Sequence, residues 1–176
     1  MNQIKTISLQ IILTIVFMSC TNQANKLENL RQFQDDQVFN VWDKQKGNDE
    51  AFLGLIGEGK IISSSFFKVS SDTLPYNYFL KNDSIYVLGK IDETKYVMSD
   101  GNSIFGCSLD PNNTITSIVS LSIFFPEDYY HVSSHIEKNN ILILEKDGCK
   151  ENSYVYSLEN TEFIHPKVNF KETGCK

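Results

Sequence analysis

The sequence predicts a mainly β fold, an antiparallel meander forming a small barrel or a sandwich, preceded by one N-terminal amphipathic helix. Three observations carry this. Beyond Glu50 the chain becomes a series of short runs rich in Ile, Val, Phe, Tyr and Ser. Turn chemistry separates the runs at even spacing, the mark of hairpins in succession. A helical period occurs only before Glu50.

The first element is a leader. Lys5 supplies a positive charge, and residues 7–18 form an apolar run that Ser8, Gln10 and Thr14 interrupt without breaking. As a helix this run spans roughly 18 Å against a hydrocarbon core of about 30 Å, too short for a comfortable membrane crossing. A charged region followed by a short apolar one has the form of a cleaved export signal. At its end stands Phe17-Met18-Ser19-Cys20, which resembles the lipobox of bacterial lipoproteins. The resemblance covers the first twenty residues. It implies that Cys20 receives a diacylglyceryl group, that residues 1–19 are removed, and that the protein sits in the cell envelope, on the outer membrane in a Gram-negative cell. Two acyl chains hold a protein stably on a bilayer, whereas one is marginal.

Residues 20–26 then form the lipidated cysteine and a short polar tether, whose last six residues reach at most about 20 Å when extended. The rest of the chain, residues 27–176, has the length of one domain. Leu27, Leu30, Gln34, Val38 and Val41 follow helical spacing, with Trp42 beside them, so a helix is expected over residues 27–45, ended by Gly47-Asn48. Strands are expected over 51–56, 60–69, 76–81, 84–90, 94–98, 103–109, 114–125, 129–136, 140–146 and 152–158. Between them lie Asn82-Asp83, Ser99-Asp100-Gly101, Asp110-Pro111-Asn112-Asn113, Lys138-Asn139 and Asp147-Gly148, residues that tolerate positive φ or close Asx turns. Barrel and sandwich both fit this pattern.

Charge narrows the function. The whole chain carries a formal −6, and loss of Lys5 with the leader makes the mature chain about −7. Arg31 is its only arginine, so there is no cluster of guanidinium forks for phosphates or base edges, and nucleic acid is not an expected partner.

An exported chain meets an oxidising compartment, where one disulfide is expected among Cys107, Cys149 and Cys175. Cys107 alternates with Phe105 and Leu109, which suits a buried thiol on an apolar strand face. Cys149 and Cys175, each in a Gly-Cys-Lys context, are the expected pair; a bridge from Cys107 to either is the alternative.

Motifs for chemistry are weak. Gly54-Leu55-Ile56-Gly57-Glu58-Gly59-Lys60 matches the first seven positions of a P-loop, but Ile61 replaces the metal-holding Ser or Thr, and Glu58 sets a negative charge where phosphates would lie. A glycine turn between strands is the expectation. His131 and His135 would be about 13 Å apart along a strand, too far to share one ion. Asp35 and Asp36 are adjacent and face differently on a helix. Gly-x-Ser-x-Gly and His-Glu-x-x-His are absent from the sequence. Asp72-Thr73-Leu74 and Asp83-Ser84-Ile85 resemble the acceptor used for O-glycosylation of exported proteins in one group of Gram-negative bacteria, which implies Thr73 and Ser84 as modified residues.

These readings together point to an envelope-anchored, non-enzymatic β domain that binds a protein partner or small ligand, with no cofactor or metal. An antagonist of a toxin or wall-degrading enzyme, and a hydrolase of unrecognised type, are the alternatives.

Overall fold

The computed structural model describes residues 25–40, 54–69, 81–125, 130–164 and 166–172. The chain forms two compact units, residues 1–30 and residues 31–176. The described part of the first contains a 3-10 turn, Asn25–Leu27, followed by Asn29 at φ 55°.

The second unit holds every strand found among the described residues. In chain order these are β1 (Val38–Phe39), β2 (Lys60–Ser63), β3 (Lys68–Val69), β4 (Ser84–Lys90), β5 (Lys95–Ser99) and β6 (Ile104–Leu109). Then follow β7 (Thr114–Phe125), β8 (Tyr130–Glu137), β9 (Asn140–Asp147), β10 (Lys150–Ser157) and β11 (Lys167–Glu172). They build one open sheet in the order β2-β4-β5-β6-β7-β8-β9-β10-β11, with every neighbouring pair antiparallel. β1 adds antiparallel to β8, and β3 adds parallel to the start of β7. The antiparallel meander expected from the sequence is therefore present, as an open sheet with β2 and β11 at its ends.

Turn residues set the register. Oδ1 of Asp92 accepts from the backbone of Thr94 and Lys95, that of Asp100 from Asn102 and Ser103, and that of Asp110 from Asn112 and Thr114. These Asx turns offer the chain a local alternative to the ladder and reverse it. The β8–β9 and β9–β10 hairpins close through two residues each, with Lys138 at φ 54° and Gly148 at φ 55° taking the left-handed place. The twelve-residue β7 is the spine of the sheet. Its Ile115–Ser122 stretch pairs with β6 on one side, and its last three residues pair with β8 on the other.

Burial reaches both faces at the centre of the sheet, where all six residues of β6 are buried. Ile85, Val87, Val97, Phe105, Cys107, Ile115, Leu121 and Ile141 are fully enclosed. The segment after β10 crosses back over β6 and β7. The backbone N–H of Phe163 donates to Ser117 Oγ at 2.9 Å, and a Cβ added at Gly106 would lie 3.0 Å from Val119 and 3.1 Å from the Phe163 ring, so glycine lets the crossing segment pack closely there. Lys95 Nζ donates to the carbonyl of Leu158 at 3.1 Å, tying β5 to the same segment.

The strand expected over 60–69 is divided into β2 and β3 by the 3-10 turn Ser64–Phe66, and two further expectations need correction. No α-helix forms over the described part of residues 27–45; positions 41–45 lie outside it. Instead the chain runs extended beside β4, with Phe33 N donating to Lys90 O and Lys90 N to Arg31 O, both at 2.8 Å, before β1 joins β8. The helical stripe selected the wrong side chains: Val38 is 61% exposed, while Phe33 and Phe39, off the stripe, are 3% and 1% exposed and meet edge to face at 5.2 Å. Asn29 and Asp36, both at positive φ, interrupt any helix. The other correction concerns 51–56, expected as a strand: residues 54–57 form one helical turn that leads into β2. The strand expected over 76–81 lies outside the described residues except for Lys81, which is in a 3-10 turn.

Candidate functional site

Because β8, β9 and β10 are joined by two-residue loops, their register is firmly set. Val132 stands opposite Glu145, Glu145 opposite Asn152, and Ile143 opposite Tyr154. Residues opposite one another project from the same face. Tyr130 and Val132 of β8, Ile143 and Glu145 of β9, and Tyr154 and Tyr156 of β10 therefore share one side of the sheet. With Ile118, Val119 and Ser120 of β7 they line a recess of about 250 Å³. Tyr156 meets Phe163 edge to face at 6.2 Å.

Glu145 is the one charged residue among the described residues lining this recess. Its carboxylate is held from both sides: the Tyr130 hydroxyl donates to Oε1 at 2.9 Å, and the Tyr154 hydroxyl donates to Oε2 at 2.5 Å. Asn152 Nδ2 adds a longer contact to Oε2 at 3.4 Å. The hydrogen bond to Glu145, then burial, pushes the Tyr154 phenol up to about 12. A phenol held so firmly neutral is a poor proton-transfer group near pH 7. The cluster is suited to holding a ligand by hydrogen bonds and charge.

A second recess, of about 340 Å³, lies among Phe33, Asp35, Ile91, Ile136, Lys138 and Leu158. Beside it Lys95 is paired with Asp92, Nζ to Oδ2 at 2.7 Å, with the lysine side chain 2% exposed. This lysine is held by structural partners, a carboxylate in its own turn and a carbonyl of the crossing segment.

The residues singled out in sequence are scattered. Cys20, Thr73 and Cys175 lie outside the described residues. Ser84 opens β4 and is exposed. Cys149 follows Gly148 in the β9–β10 loop. Cys107 is free and wholly buried, and burial pushes its thiol far up, which removes it as a nucleophile. His131 and His135 are on the face of β8 opposite Val132. Burial lowers the His131 pKa, and the charge of Lys146 adds to this. Among the described residues no group of three or more His, Cys, Asp or Glu is placed to hold a metal ion. Asp36 sits in a turn, donating its backbone N–H to Ile136 O at 2.9 Å. The P-loop-like segment is a helical turn entering β2. A Cβ at Gly59 would come within 2.9 Å of Leu88, so packing accounts for that glycine.

Glu145, Tyr130, Asn152 and Tyr154 were not singled out by sequence. A signal exists: Ile141, Ile143 and Glu145 alternate on one face of a single strand, so a charge stands where the pattern expects an apolar residue. Neither a family model, a curated protein nor a solved structure matches the chain.

Proposed function

We propose that this chain is an envelope lipoprotein, anchored by lipid on Cys20, whose β domain binds a ligand in the Glu145 recess and carries out no chemistry on it. The observation that carries the reading is the seat itself. A carboxylate stands in a concavity walled by Ile118, Val119, Val132 and Ile143 together with tyrosines, and both its oxygens are held by phenols. Ligand sites commonly combine an apolar lining with a few convergent polar groups that fix orientation. The leader and Ser19-Cys20 supply the tether, and an acidic surface held close to a bilayer is suited to capturing small molecules in the envelope. Exposure of Ser84 at the start of β4 supports it as a glycan acceptor; Thr73 is proposed beside it on the sequence resemblance alone.

The binding reading is tested by native mass spectrometry of the full-length protein purified in detergent and exposed to the small-molecule fraction of an envelope extract. A discrete mass adduct is expected on the wild type and not on Ser120→Trp, which fills the recess without removing any partner of Glu145. No adduct on wild type, or equal adducts on both, defeats the proposal.

A further inference from the structure

Resting on that reading, we propose that the ligand of the Glu145 recess carries an ammonium or guanidinium group, seated where Tyr130 and Tyr154 converge on the Glu145 carboxylate.

The proton inventory leads to this class. A phenol has one proton to donate. Those of Tyr130 and Tyr154 are both committed to Glu145, so neither phenol has a proton to give to an incoming group. A carboxylate has about four lone-pair sites, and here Tyr130, Asn152 and Tyr154 donate to it. The polar end of the recess is thus strongly biased toward accepting. A ligand rich in acceptors leaves those acceptors unpaired on entry, a desolvation cost with no return. A ligand whose polar end consists of donors matches the seat.

Charge and surface point the same way. Glu145 is the single formal charge among the described lining residues, and the walls include Ile118, Val119, Val132 and Ile143. Apolar walls lower the local dielectric and strengthen attraction of a cation to the carboxylate. Tyr130, Tyr154 and Tyr156 bring three aromatic rings to the same recess, and aromatic faces attract ammonium and guanidinium groups. The chain as a whole is acidic, which raises the local concentration of cations and lowers that of anions.

Three probes of one shape and different charge separate the possibilities: benzylammonium, benzyl alcohol and benzoate, titrated by calorimetry into the full-length protein in detergent at pH 7. Benzylammonium is expected to bind at least about tenfold tighter than either of the others, a difference of about 1.4 kcal/mol. Added salt is expected to weaken it, and Glu145→Gln to remove the preference. Ser120→Trp, which leaves the hydrogen bonds of Glu145 in place, is expected to abolish binding of all three, so the test does not depend on the stability of the Gln variant. Equal or tighter binding of benzyl alcohol or benzoate overturns the cation inference while the recess remains a binding site. Undiminished preference in Glu145→Gln overturns it equally. Absence of binding by all three, or binding that Ser120→Trp leaves intact, overturns the recess reading as well.

Discussion

The hydroxyl of Tyr154 on β10 donates to Oε2 of Glu145 on β9 at 2.5 Å, one rung diagonal to the direct cross-strand partner Asn152. Hydrogen bonding to a carboxylate favours the neutral phenol, and the folded Tyr154 titrates at about 12 against an ordinary 10. A raised phenol contributes stability that is whole below pH 10 and is lost as pH climbs through 12. Carbon NMR of labelled tyrosine across this range reads it directly. The Tyr154 midpoint is expected near 12 in wild type and closer to 10 in Glu145→Gln; a wild-type midpoint near 10 contradicts the bond.

Lys95 and Asp92 behave asymmetrically. Burial alone would raise the Asp92 carboxyl, but hydrogen bonds from Lys95 Nζ and from the backbone of Thr94 and Lys95 outweigh it and hold the carboxyl below its usual 3.8. Asp92→Asn strands the buried ammonium and is expected to cost about 3–5 kcal/mol. Lys95→Met leaves a carboxylate that water can reach and is expected to cost less. A depressed carboxyl stabilises the fold above about pH 4 and loses that contribution as pH falls through its folded value, so Asp92→Asn also removes part of the wild-type acid sensitivity. Urea unfolding at pH 7 and at pH 3 measures both effects. A Lys95→Met cost equal to or above that of Asp92→Asn refutes the asymmetry.

A bridge between Cys149 and Cys175 is expected. Its support is positional: the β10–β11 ladder ends at Lys150 opposite Glu172, which brings the chain toward the Cys149 loop with Cys175 three residues further on. Cys149 is not a free thiol, whereas Cys107 is free and enclosed. Closing a loop of about 26 residues stabilises by roughly 3.5 kcal/mol on the chain-entropy estimate. Non-reducing peptide mapping is expected to recover the 149–175 pair, with Cys107 alkylated only after unfolding. A bridge containing Cys107 would refute it.

How much of this was legible in the sequence depended on whether local pattern or distant register decided the outcome. β4 and β7 occupy the expected 84–90 and 114–125, since alternation and Asx turns bound both. β11 escaped notice because Lys167–Glu172 is polar and lies at a sheet edge, where little burial is required. The segment expected as a helix failed for a related reason. Helical spacing in residues 27–41 included a polar Gln34, and pairing with β4 and β8 buried Phe33 and Phe39 instead. The Glu145 seat is a product of register: each participant is an ordinary strand residue until two-residue hairpins align β8, β9 and β10.

Tethering at Cys20 is the central claim, because it decides where the proposed recess would meet a ligand. Metabolic labelling with an alkyne fatty acid, followed by fractionation of wild type and Cys20→Ala, tests it most directly. The account predicts label on the wild type in the membrane fraction, no label on Cys20→Ala, and release of that variant from the membrane. An unlabelled wild-type protein in the soluble fraction, or a Cys20→Ala variant that still takes up label, would contradict it.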